Sequence, residues 1–89
     1  MWFVYILLCS DNSFYTGISN DLEKRFLDHK KGKGGRYTRS HKPLKIIYTE
    51  QYATKPDALK REIEIKSMRR KQKENVIFTN TQISKINVR

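Results

Sequence analysis

Arg25, His29 and Glu62 are residue types suited to breaking a phosphodiester with one divalent ion, and upstream of them stand two phenols ten residues apart, Tyr5 and Tyr15. A carboxylate beside a polyanionic substrate favours Mg²⁺ (or Mn²⁺) as ligand partner, which makes Glu62 the expected metal residue. Arginine is the preferred side chain for bidentate recognition of a phosphate whose charge is building up. A phenol has an unperturbed pKa of about 10, so either tyrosine becomes a useful base only where a cation depresses that value. Arg25 and a bound ion would supply the depression. Each residue alone also has a plainer reading: a strand aromatic, a surface arginine, a hydrogen-bonded core histidine, an ion-paired glutamate. It is their placement on common elements that gives the set meaning.

Trp2 to Cys9 is a continuous apolar, aromatic and β-branched run ending at turn residues. It predicts a strand buried on both faces, hence a central one. The turn Ser10-Asp11-Asn12-Ser13 leads into a second strand, Phe14 to Ile18, and the pair should form an antiparallel hairpin. Tyr5 and Tyr15 would then present their side chains on one face of the sheet. Ser19 or Asn20 can cap a helix from Asp21 to about Lys31. On it, Arg25 and His29 are four residues apart and stack beside Leu22 and Phe26, next to the sheet.

Residues 32–42 form a Gly-rich basic connector, with one helical turn expected near Tyr37. Pro43 suits the first position of a third strand over Leu44 to Tyr52. Thr54-Lys55-Pro56-Asp57 combines a capping-box pattern with proline in the first turn, opening a helix expected to reach about Arg70. At 100° per residue, Ala58, Leu59, Glu62, Ile65 and Arg69 share a face roughly 120° wide, while Glu64 points to solvent. The Glu62 carboxylate is thus flanked by apolar neighbours, a costly place for a charge without compensation. Beyond Lys71 the pattern fades: Val76-Ile77-Phe78 would dock on the core, and residues 79–89 are expected as a frayed tail to a single domain over 1–78.

At 89 residues the chain holds one small domain with one sheet. Its net charge of +10 and pI near 10.0 favour a polyanionic partner, most simply a nucleic acid. Anionic membrane fits less well, because the basic residues are spread over several segments with no amphipathic anchor. One cysteine, Cys9, excludes a disulfide framework and suits a reducing compartment. Trp2 to Cys9 is too short to span a bilayer and lacks the flanks of a signal peptide, so the expected location is cytoplasmic.

Lys30 to Lys45 contains no acidic residue, and its glycines let the backbone approach a ligand. Lys33, Arg36, Arg39 and Lys42 would contact phosphates there, and Tyr37 would offer a stacking face. Lys66, Arg69 and Arg70 continue a phosphate track along the last helix. Gly32-Lys33-Gly34-Gly35 does not match a Walker A loop and follows no strand, which excludes nucleoside triphosphate binding of that type.

Val4-Tyr5-Ile6, Tyr15-Thr16-Gly17, Leu22-Glu23-Lys24-Arg25 with His29, and Arg61-Glu62-Ile63 resemble, in order and spacing, the GIY-YIG catalytic domain. The likeness is to its small stand-alone bacterial members related to the Slx-type endonuclease domain, and it covers about residues 2–75. It implies an α/β (α+β) fold, with a three-stranded antiparallel sheet flanked by helices in the order β-β-α-(short α)-β-α. It also implies metal-dependent hydrolysis of DNA phosphodiesters, in repair or recombination, with branched or damaged structures as candidate targets. Glu62 would ligate the ion, Arg25 would hold the scissile phosphate, Tyr5 and Tyr15 would position or deprotonate water, and His29 would bond a tyrosine or the phosphate. Which tyrosine is the base stays open, and Asn75 is a loose match to a further polar position. Phe3 stands where the first motif has glycine, and Ile18 where some members carry lysine. The competing expectations are a non-catalytic nucleic-acid-binding module and a subunit whose protein partner supplies target choice.

Overall fold

The hairpin at the start of the chain organises everything that follows. In the computed structural model, which describes residues 1–88 and the side chains of residues 1–79, strand β1 (Trp2–Cys9) pairs antiparallel with β2 (Phe14–Ser19) on one side. On the other side it pairs antiparallel with β3 (Pro43–Tyr52), giving the order β2-β1-β3. The central position of β1 is the one its unbroken apolar run predicts. The connecting turn places Asn12 at φ 68, a left-handed conformation that asparagine tolerates better than most residues.

Directly paired residues of antiparallel strands share a face. Tyr5 pairs with Gly17 and Leu7 with Tyr15, so all four lie on one face, while Val4 and Ile6 face the other way. Helix α1 (Leu22–Lys30) and the single-turn α2 (Arg36–Ser40) cover the tyrosine face, through His29 and Thr38. Helix α3 (Lys55–Lys66) covers the opposite face, where Ala58 and Ile65 join Val4, Ile6 and Tyr48 in the core. Val4, Ile6, Ala58 and Ile65 are fully buried, and each large aliphatic among them contributes roughly 1.5–3 kcal/mol.

Several local expectations are corrected. The cap of α1 is Asp21, not Ser19 or Asn20: its carboxylate accepts from the Lys24 backbone N–H at 3.1 Å. Ser19 instead braces that cap, accepting from Asp21 N–H and donating to Asp21 O, each at 2.9 Å. The third helix stops at Lys66 with Ser67 as its cap, well before Arg70. A fourth helix, α4 (Arg70–Val88), then begins, with the Gln72 side chain accepting from Arg69 N–H at 2.9 Å. The break lets Met68, Val76 and Ile77 all pack against the core, whereas a straight continuation would carry the last two past the sheet. Arg69 therefore lies outside α3 and does not share a helical face with Glu62, and Leu59 is exposed rather than part of the buried stripe. The expected docking of residues 76–78 holds for Val76 and Ile77, while Phe78 is exposed. The expected fraying of 79–89 falls mainly on residues 80–89, whose side chains lie outside the described set.

Candidate active site

Gly17 is where the backbone makes room for the site. A Cβ built there would fall 2.5 Å from the Tyr5 hydroxyl and 3.2 Å from the Tyr15 ring. The Tyr5 ring therefore lies across β2, an arrangement that only glycine permits at this position. Tyr5 is almost fully buried, and its hydroxyl sits 2.8 Å from His29 Nε2. The Tyr15 ring meets the His29 ring edge-on at 4.9 Å and lies 6.4 Å from the Tyr5 ring, centroid to centroid.

His29 has no exposed surface. Its Nδ1 is 2.6 Å from Thr38 Oγ1, so each ring nitrogen has a partner. Burial, reinforced by the Arg25 charge, pushes its pKa down to about 4. The imidazole is therefore neutral at physiological pH. Tyr5 moves the other way, to about 12, chiefly through burial and then through the neighbouring Tyr15. Arg25 opposes that rise by hydrogen bonding and charge, but does not overcome it. Arg25 alone thus does not make Tyr5 acidic against its desolvation; the expected depression called for a bound ion as well.

Arg25 is half-buried and anchored by a 3.0 Å hydrogen bond from Nη2 to Gly34 O. Gly34 is buried, and a Cβ there would overlap the His29 ring. The connector between α1 and α2 therefore buttresses both residues: Gly34 receives Arg25 and leaves room for His29, and Thr38 bonds the imidazole. Neither residue stands out in the sequence, where both lie inside a basic, Gly-rich stretch.

Glu62 belongs to the helix on the other face of the sheet, yet its charge acts on the Tyr5 phenol and raises its pKa. β2 is the outer strand, and Gly17 interposes no side chain over the Tyr5 ring. The Glu62 side chain is 15% exposed, and its Oε2 pairs with Lys66 Nζ at 3.3 Å. Among the described residues no group of three or more His, Cys, Asp or Glu is arranged around a metal position. The oxygen donors at hand are one carboxylate and two phenols. That set fits a hard divalent cation that keeps several waters and takes further ligands from phosphate.

Next to Glu62 on α3, Arg61 forms a fork on Glu50 of β3, with Nε to Oε1 at 2.9 Å and Nη2 to Oε2 at 3.0 Å. The hydroxyls of Tyr48 and Tyr52 also donate to Glu50, the latter at 2.6 Å. Burial alone would raise the Glu50 pKa, but Arg61 and the two hydroxyls outweigh it and hold it lowered. This clamp fixes α3 against the sheet and was not evident from the sequence.

The eight residues expected to bind nucleic acid are all exposed, but they do not form one group. Tyr37 stacks on Tyr15 at 5.8 Å and on His41 at 4.1 Å, which ties it to the site. Lys33, Arg36 and Arg39 sit on the connector and α2 beside it, and Lys42 follows directly. Lys66 adjoins Glu62. Arg70, which Arg69 directly precedes, lies instead by the β1–β2 turn. There Arg70 donates to Asn12 O, pairs with Glu74 at 3.1 Å and lies 3.9 Å over the Phe14 ring.

No helix among the described residues is long and apolar enough to cross a membrane. Residues 1–75 match the family described as the GIY-YIG catalytic domain. A UPF0213 protein of Staphylococcus epidermidis is 48% identical over 75 residues, covering 84% of this chain and 92% of its own. One from Cupriavidus necator is 47% identical over 72 residues, covering 81% and 78%. The solution NMR structure of a UPF0213 protein from Bacillus halodurans superposes with a TM-score of 0.58 at 38% identity, over 89% of this chain and 85% of that one.

Proposed function

Because this chain belongs to the GIY-YIG family of nuclease domains, we propose that it hydrolyses DNA phosphodiesters with one divalent ion, Mg²⁺ or Mn²⁺, at the site built from Tyr5, Tyr15, Arg25, His29 and Glu62. The observation that carries the reading is the 2.8 Å contact between a protonated Tyr5 and a neutral His29, with Arg25 alongside. Glu62 would hold the ion. When bound, the ion would supply positive charge to the phosphate and the leaving oxygen.

The chain's own residues do the rest. Arg25, positioned by Gly34, neutralises and orients the scissile phosphate. A phenol with a pKa of about 12 is a poor base if it must first ionise. Tyr5 therefore positions the attacking water: its O–H donates to His29 Nε2, which leaves the oxygen lone pairs free to accept a hydrogen bond from that water. The water's proton would pass to solvent, its acidity raised by the ion. His29, neutral through burial and the Arg25 charge, serves as the acceptor that orients the Tyr5 hydroxyl. Tyr15 packs against His29 and keeps water from the ring. Lys33, Arg36, Arg39 and Lys42 supply phosphate contacts along the strand, which accounts for the charge of the connector. Branched or damaged DNA in repair or recombination is the target class this reading favours, with a protein partner supplying the choice of site.

Labelled single-stranded, duplex, flapped and four-way-junction DNA incubated with the protein and Mg²⁺, Mn²⁺ or EDTA tests the proposal. Cleavage should require the ion and disappear in Glu62→Ala. Binding without cleavage of any substrate would leave a nucleic-acid-binding module instead.

A further inference from the structure

Thr38 is only 2% exposed, and its hydroxyl lies 2.6 Å from His29 Nδ1. A neutral imidazole carries one N–H, so the two contacts of His29 cannot be chosen independently. If Nε2 carried the hydrogen, it would donate to the Tyr5 oxygen, and Thr38 O–H would donate to Nδ1. The Tyr5 O–H would then have no acceptor on His29, inside a buried site where an unmade hydrogen bond costs about 1–3 kcal/mol. If Nδ1 carries it, Nδ1–H donates to Thr38 Oγ1 and Tyr5 O–H donates to Nε2. The hydrogen left over is that of Thr38, whose hydroxyl, being in a helical turn, can donate back to a carbonyl three or four residues earlier.

We propose that Thr38 is a positioning residue that locks His29 in the Nδ1–H tautomer, so that Nε2 faces Tyr5 as an acceptor. The lock is built from three elements. α1 carries His29, β1 carries Tyr5, and α2 carries Thr38, with the His29 ring seated directly against Gly34. This gives the buried threonine of a basic surface turn a chemical task, and it explains why a one-turn helix is held against the sheet. Its bearing on catalysis rests on the nuclease reading above, but the tautomer itself does not.

The test is ¹⁵N NMR of the histidine side chains at neutral pH, in the full chain without DNA. Wild type should show His29 with a protonated Nδ1 and a bare, acceptor-type Nε2. Thr38→Ser should keep that pattern, and Thr38→Val should shift it toward the Nε2–H form while retaining native circular dichroism. In cleavage assays Thr38→Val should lower kcat about ten- to a hundredfold with KM nearly unchanged, and Thr38→Ser should restore most of it. A wild-type His29 found as the Nε2–H tautomer would overturn the proposal without any variant. So would a Thr38→Val protein that keeps the Nδ1–H form. If wild type and all variants fail to cleave, the nuclease reading falls, and the NMR signals alone decide the role of Thr38.

Discussion

Burying His29 in its neutral form ties the stability of the fold to pH over a defined window. In the unfolded chain the imidazole titrates at an ordinary 6.5, and in the folded protein at about 4. Above 6.5 neither state is protonated and the group contributes its full stabilisation. As pH falls below 6.5 the unfolded chain binds a proton that the folded protein refuses, so stability is lost until the folded pKa is reached near 4. At about 1.36 kcal/mol per pH unit, the loss across that window is about 3 kcal/mol. Domains of this size have little to spare, since total stabilities of about 5–15 kcal/mol are usual even for larger ones. Urea unfolding followed by fluorescence of Trp2, the single tryptophan and half-buried against the core, provides the assay. Wild type and His29→Gln would be compared at half-unit steps from pH 7.5 to 4. Both proteins carry the same carboxylates, including Glu50 with its lowered pKa, so the difference curve isolates the histidine. Wild type should lose about 3 kcal/mol more than the variant, with the midpoint moving and the m-value constant. Parallel curves for the two proteins would refute the claim that His29 is buried neutral.

Gly17→Ala places a methyl group against the Tyr5 hydroxyl and should cost about 1–3 kcal/mol by urea unfolding while displacing Tyr5; an unchanged Tyr5 ring resonance by NMR would contradict the packing. Gly34→Ala should disrupt His29 and Arg25 together, abolishing the pH-linked stability described above even if the protein folds; retention of that linkage would mean the ring has room to move. Arg61→Met leaves the carboxylate of Glu50 buried without its main partner, and denaturant titration should register a loss of roughly 2–4 kcal/mol, lessened below the pKa of Glu50. A change under about 0.5 kcal/mol would show the clamp to be incidental.

The hairpin and α1 were legible because their signals are local. An apolar run, a polar turn and a helical spacing of four between Arg25 and His29 all act within a few residues, and the family motifs sit on those same segments. The end of α3 was not legible, since nothing around Ser67 forbids a helix. With the helix ended at Lys66, Met68, Val76 and Ile77 all turn back onto the core, a long-range contact that no local pattern announces. Thr38 and Gly34 were hidden for a similar reason. In sequence they belong to a solvated basic connector, and only the folding of that connector over the sheet brings them to His29. The same holds for Glu50 and Arg61, eleven residues apart on different elements, whose pairing depends on how α3 docks. The direction of the Tyr5 pKa turned on burial, which no single-sequence pattern reports.

The central claim is that Glu62 and its neighbours break a phosphodiester rather than merely bind one. Binding and single-turnover cleavage measured on the same DNA samples, for wild type and Glu62→Gln with Mg²⁺ or EDTA, address it most directly. Wild type should cleave only with the ion, and Glu62→Gln should bind at least as tightly as wild type but not cut. Cleavage by Glu62→Gln at the wild-type rate, or tight binding by wild type with no cleavage in Mg²⁺ or Mn²⁺, would contradict it.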